Sequence, residues 1–155
     1  MQIYHFSDSY IEVFKYTKAK RDYSQASGNG VYFATDYEKG VLKYGNRARY
    51  CYICEFTGNQ DNILNLGEYD SMYFDGRMIH SCSLVAENFK RSISGIPEIP
   101  EPDILIEKLS GKALKFLRSK GIQAIKGMDY WGYACSEFCV IDVNTIRIIN
   151  RIQGK

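Results

Sequence analysis

Gly28-Asn29-Gly30-Val31-Tyr32-Phe33-Ala34-Thr35-Asp36-Tyr37-Glu38 decides how the chain is read. A glycine-marked turn opens it. The β-branched and aromatic run from Gly30 to Ala34 predicts a strand, and Thr35 with Glu38 three residues on has the spacing of a capping box. That box predicts a short helix toward Tyr44, which Gly45-Asn46 can end. Two more runs of strand character flank the unit, Gln2 to Ser7 before it and Arg49 to Thr57 after it. The last is apolar on both faces, so it is expected near the middle of a sheet.

Further along, Ile104, Leu105, Lys108, Leu109, Lys112, Ala113, Phe116 and Leu117 lie at helical spacing and predict a helix from about Pro102 to Ser119, closed by Lys120-Gly121. Ile122 to Lys126 reads as a strand, followed by the aromatic loop Met128 to Cys135. Glu137 to Val143 and Ile146 to Ile149, separated by Asn144-Thr145, are expected to close the chain as a hairpin. The proline cluster Ile96 to Pro102 reads as an extended connector, and the stretch from about Tyr69 to Pro102 matches no pattern. Short strands with scattered helices and no strict alternation point to an α+β fold and away from a doubly wound parallel sheet.

At 155 residues the chain is long enough for one core and short for two, which gives a single domain spanning 1–155. Basic and acidic residues, 20 against 18, nearly cancel, so the chain as a whole does not advertise non-specific nucleic-acid binding. No apolar run is long enough to span a membrane, and Met1 to Tyr10 lacks the pattern of a secretory signal. The expectation is a cytoplasmic protein, or one delivered to a host cytosol without an N-terminal signal peptide. Five cysteines, an odd number, fit free thiols better than a disulfide framework. With 13 Tyr and 8 Phe, the chain is rich in rings suited to strands, stacking sites and binding loops.

Cys51-x-x-Cys54 and Cys135-x-x-x-Cys139 have the look of zinc half-sites, and His80-Ser81-Cys82 adds a His and a Cys. Residues three apart on a strand point to opposite faces, so Cys51 and Cys54 cannot grip one ion, and buried thiols are the expected state. No metal is expected. Gly28-Asn29-Gly30 lacks the third glycine and the following helix of a phosphate loop, and there is no nucleophile elbow, zincin motif or Walker loop. What remains is a constellation on three strands: His5, Tyr32 and Glu137.

On those residues the sequence resembles the ADP-ribosyltransferases of the His-Tyr-Glu type, the family of diphtheria-like toxins and poly(ADP-ribose) polymerases. Ile3-Tyr4-His5-Phe6-Ser7 is similar to the family's first-strand histidine motif. Gly28 to Asp36 looks like its Gly-x-Gly-[Ile/Phe/Val]-Tyr-Phe segment. Tyr52-Ile53-Cys54-Glu55-Phe56 resembles the strand after the helix, and Ser136-Glu137-Phe138-Cys139-Val140-Ile141-Asp142 the closing glutamate strand. The resemblance implies a split β-sheet core with short flanking helices, NAD+ as substrate and no metal. It implies that imidazole, phenol and carboxyl converge on one side of a single cleft.

Within that resemblance Glu137 holds the ribose 2′-hydroxyl and offsets the charge of an oxocarbenium-like sugar. Tyr32 and Tyr44 sandwich the nicotinamide ring, His5 positions the adenosine-side ribose, and Phe6 and Ser7 complete the NAD+ contacts. Phe6 stands where the family usually has glycine, and Cys135, two before Glu137, where arginine-modifying members usually have Glu. Arginine is therefore not the expected acceptor. Tyr130, Trp131 and Tyr133 stand where such enzymes meet a protein or nucleic-acid acceptor; the alternative is that this loop simply packs on the sheet. Lys15, Lys18, Lys20 and Arg21 either face the NAD+ pyrophosphate or an acceptor, or form solvated surface. The resulting expectation is a mono-ADP-ribosyltransferase of toxin or effector kind, with a neutralising protein among its partners. The alternative is a catalytically inactive NAD-binding or protein-interaction module of the same fold.

Overall fold

The structure is a computed structural model that describes residues 1–14, 30–42, 48–67, 71–81, 83–106, 109, 111–127 and 137–153, with Glu137 described by its backbone. In chain order the strands are β1 (Gln2–Ser7), β2 (Val31–Ala34), β3 (Tyr50–Phe56), β4 (Ile63–Asn65), β5 (Ser71–Phe74), β6 (Arg77–His80), β7 (Ile104–Leu105), β8 (Ala124–Gly127), β9 (Glu137–Val140) and β10 (Ile146–Gln153). The helices are α1 (Tyr37–Gly40), α2 (Val85–Ile93) and α3 (Gly111–Ser119). The main sheet has the order β10-β3-β1-β2-β9-β8-β4, antiparallel except for the β4–β8 pair, and β5-β6-β7 form a second, small sheet. The fold is α+β, as its sequence leads one to expect.

Period-two alternation builds both faces of the main sheet. Ile3 and His5 on β1, Phe33 on β2, Tyr52 and Cys54 on β3 and Phe138 on β9 point to one face. On the other face, Ile125 and Cys139 pack against Leu114 and Leu117 of α3 and Ile79 and Ile104 of the small sheet. A third cluster, Phe6, Ala34 and Cys51, lies beneath α1. Cys51 and Cys54 therefore sit in different clusters, on opposite faces of β3, as their spacing requires.

Several elements depart from the sequence expectations. Of the helix placed over 102–119 the described part is Gly111–Ser119, and the expected first turn is instead the strand Ile104–Leu105, parallel to β6, with Ile104 opposite Ile79. Ile104 and Ile106 are both buried and the residue between them is half-buried, so the apolar pattern there has period two as well as the helical one. The far end of α3 behaves as expected: Gly121, at φ 78°, closes it by donating to the Arg118 carbonyl (2.9 Å) while Ile122 donates to that of Leu117 (3.1 Å). Helix α1 is capped one residue later than expected, by Asp36, whose Oδ1 accepts from the Lys39 N–H at 2.9 Å. A carboxylate there also meets the helix dipole, an advantage Thr35 lacks.

The terminal hairpin does not form. Both edges of β9 are already paired, with β2 and β8, so a 3-10 turn at Val143–Thr145 sends the chain to the far edge of the sheet, where Ile146 pairs with Phe56. Residues 71–80, which matched no pattern, form the β5–β6 hairpin, turning on Asp75 (φ 48°) and Gly76 (φ 76°), the two positive-φ positions of a tight hairpin loop. Among the described residues no helix is long and apolar enough to cross a membrane.

Candidate functional site

The three strands that carry His5, Tyr32 and Glu137 are successive neighbours, β1, β2 and β9. One pairing row crosses them: Tyr4 opposite Ala34, Ala34 opposite Glu137, and Glu137 opposite Gly127 of β8. The register position of Glu137 is thus flanked by the two smallest residue types, alanine on one side and glycine on the other. The same row reaches Ile53 of β3 beyond Tyr4.

Strand β1 runs alongside β3 for its whole length, from Gln2 opposite Glu55 to Ser7 opposite Tyr50. Its register with β2, by contrast, is the single pair Tyr4–Ala34. A side chain also joins the two strands: His5 Nδ1 lies 2.7 Å from the Tyr32 carbonyl oxygen. A carbonyl can only accept, so the Nδ1 of His5 carries the proton.

The His5 ring is 2% exposed. Phe14 meets it edge-on at 5.2 Å, Phe33 lies at 5.5 Å and Tyr52 at 6.2 Å. Phe14 is held there because the Tyr52 hydroxyl accepts from the Ile11 N–H (2.6 Å) and donates to the Ser9 carbonyl (2.9 Å). Arg151 reinforces the clamp by donating to the carbonyls of Ile11 (3.2 Å) and Glu12 (2.8 Å). Burial pushes the Tyr52 phenol above its ordinary pKa, opposed by the hydrogen bond from Ile11.

Tyr32 goes the other way. Its ring packs on the cluster that contains Cys139, Ile104 and Leu114, and its hydroxyl donates to the Ile106 carbonyl. Tyr32 and Phe33 are adjacent on a strand and so project to opposite faces; since His5 packs on Phe33, imidazole and phenol lie on opposite faces of the sheet. The expected convergence on one side does not hold for these two rings. What joins them is the Tyr32 main chain.

Phe6 is buried against Ala34 and Cys51, and its ring stacks on Tyr37 at 6.4 Å. Gly40, the last residue of α1, sits close on Phe6 and Ala34 because it has no side chain: a Cβ there would stand 2.7 Å from Phe6 Cε2 and 3.0 Å from the Ala34 Cβ. Phe6 thus fills the floor under the helix. Ser7 is buried, and its Oγ accepts from the Ser9 N–H at 3.1 Å. Gly30 lies against β9, where a Cβ would stand 2.5 Å from Cys139 Sγ, so its role is close strand packing.

Tyr44, Tyr130, Trp131, Tyr133, Cys82, Cys135, Lys15, Lys18, Lys20 and Arg21 lie outside the described residues. Among the described residues no group of three or more His, Cys, Asp or Glu side chains is placed to hold a metal ion. His80 is on the small sheet, opposite Ser71.

No protein-family model, no curated protein and no solved structure matches this chain.

Two features of the site escaped the sequence reading. Phe14 over His5 depends on contacts to Tyr52 and Arg151 far along the chain, for which no local signal exists. The Ala34–Glu137–Gly127 row had a signal, the small residues at the ends of two predicted strands, but the register that aligns them is a tertiary fact.

Proposed function

We propose that this protein is an NAD+-dependent mono-ADP-ribosyltransferase with a split-sheet core, acting as a toxin or effector in a cytosol. The observation that carries the reading is the adjacency of β1, β2 and β9, which makes neighbours of three strands bearing His5, Tyr32 and Glu137 from three distant parts of the sequence.

In this reading the C–N bond between nicotinamide and ribose breaks, its electron pair leaving with nicotinamide. An acceptor lone pair then forms the new bond at the same ribose carbon, and the acceptor's proton passes to solvent. The Glu137 carboxylate stabilises the positive charge that develops on the sugar. His5, with its proton on Nδ1, orders the junction of β1 and β2 and thereby positions the nucleotide without transferring a proton. The acceptor is a protein or a nucleic acid. Labelled NAD+ in a cell extract, followed by protease or nuclease treatment of the labelled product, distinguishes the two. The basic test is nicotinamide release from NAD+ by the wild type against Glu137→Ala.

Three observations favour a second reading, a module of the same fold without turnover. His5 is sealed beneath Phe14, Tyr32 is committed to Ile106, and Phe6 fills the space under α1. A chain that releases no nicotinamide yet gains thermal stability from NAD+ would fit that module.

A further inference from the structure

Charge is spread unevenly along this chain. Between Glu107 and Asp129 there are six Lys and Arg and no Asp or Glu, and the rest of the chain sets the remaining 14 basic residues against all 18 acidic ones. Helix α3 carries most of the excess. Its buried residues are Leu114 and Leu117, and at about 100° per residue Lys112, Lys115 and Ser119 fall on the opposite side, where all three are exposed. Phe116 borders that side, half-buried, and Lys120, just past the helix end, is exposed beyond it. The β5–β6 hairpin adds a cation from another element. Arg77, opposite Phe74, holds its guanidinium carbon 3.8 Å from the centre of the Phe116 ring, and the Lys120 ammonium is 5.9 Å from the same ring. Asp75 meets Lys120 at 3.1 Å, but both side chains are about half-exposed, so this pairing is weak.

We propose that this surface of α3 and the β5–β6 hairpin binds single-stranded nucleic acid, with backbone phosphates along Lys112, Lys115 and Lys120 and a base resting against Arg77 and Phe116. The lysines span about 12 Å of helix, room for successive phosphates of one strand. The near-neutral chain does not oppose this, because the gain from released counterions depends on the cations contacted and not on net charge. The Arg77–Phe116 pair singles out nucleic acid among polyanions. Unstacked bases lie on aromatic rings and guanidinium planes, and a guanidinium already held over a ring has less freedom to lose on binding. An acidic peptide makes no use of that pair. An anionic membrane fits less well, because a helix lying in a membrane surface needs an open apolar face, and Leu114 and Leu117 of α3 are buried in the core. The same core cluster takes the Tyr32 ring, so α3 and that ring share one face of the main sheet. Binding does not depend on the transferase reading; where that reading holds, this surface makes the acceptor a nucleic acid.

Fluorescence anisotropy of a labelled single-stranded RNA of about 15 nucleotides, titrated with the full chain in the absence of NAD+, tests this. With about four cations engaged, affinity should fall roughly 50-fold between about 50 and 200 mM salt, and Lys112→Gln with Lys115→Gln should reduce that fall to roughly 7-fold while weakening binding at low salt. Arg77→Lys keeps the charge and loses the plane, so binding should weaken with the salt dependence unchanged. Lys90→Gln, on α2, should bind as the wild type does. All four substitutions are at exposed positions, and the unfolding midpoint checks that each variant is folded. No binding at about 50 mM salt would overturn the proposal, as would a loss in Lys90→Gln equal to that in the α3 pair. Displacement of the RNA by poly-glutamate of equal charge, or by phosphatidylserine vesicles, as readily as by unlabelled RNA would overturn it too. With NAD+ absent, none of these outcomes bears on nicotinamide release.

Discussion

The His5 imidazole donates to the Tyr32 carbonyl across 2.7 Å, joining two strands whose backbone register is the one pair Tyr4–Ala34. A side chain thus adds a bond between two strands at the middle of a seven-stranded sheet. The ring is closed in by Phe14, Phe33 and Tyr52, so the bond operates in a site with little water.

Replacing His5 separates packing from this bond. His5→Phe keeps an aromatic ring in the cluster but removes the donor to the Tyr32 carbonyl. The expected cost is about 0.5–1.5 kcal/mol, read as a fall in the urea midpoint at unchanged slope. A midpoint equal to that of the wild type would show the bond to be dispensable.

The contact under α1 gives a second prediction. Gly40→Ala places a methyl 2.7 Å from Phe6 Cε2, and the expected loss is about 1–3 kcal/mol despite alanine's better helix propensity. Trimming the ring relieves the clash, so Phe6→Leu should cost less in the Gly40→Ala background than in the wild type. A double-mutant cycle measures the coupling, expected at about 0.5–3 kcal/mol; strict additivity would contradict the packing described.

How much of this was legible depends on where the information lies. The alternation in Gln2–Ser7 and the three-residue spacing of Cys51 and Cys54 are local, and both were read correctly, strand and opposite faces alike. Ile104 and Leu105 misled because their apolar pattern satisfies a helix and a strand equally, and only pairing with Ile79 and His80 selects the strand. The expected terminal hairpin failed for a similar reason: β9 has both edges filled by β2 and β8, distant segments that a local Asn144-Thr145 turn cannot reveal. Asp75-Gly76 was a clear turn signal that went unused. At the site, the strands of His5 and Tyr32 could be read, but the faces their rings occupy follow from the Tyr4–Ala34 register, a tertiary fact.

Burial pushes the Cys51 thiol up to about 11 and that of Cys54 to about 12, the latter with a smaller push from Cys51. The unfolded chain gives up these protons near pH 9.0 while the folded protein keeps them. The stability they contribute is therefore full below that pH and is lost as pH climbs through the folded values. Each thiol adds a downward slope of up to about 1.4 kcal/mol per pH unit in that window. Urea unfolding at successive pH values should show the decline, and Cys51→Ala with Cys54→Ala should flatten it while lowering stability at neutral pH. An unaltered slope in the double variant would refute the assignment.

The most direct measurement is the rate of nicotinamide release from NAD+ by wild type and by Glu137→Gln, which keeps size and removes charge. If the Glu137 carboxylate stabilises the developing sugar cation, wild-type protein turns over and kcat/KM falls by about 100-fold or more in the variant, a loss of about 2.7 kcal/mol or more, with the unfolding midpoint little changed. Equal rates for the two folded proteins, or no release by either, would contradict it.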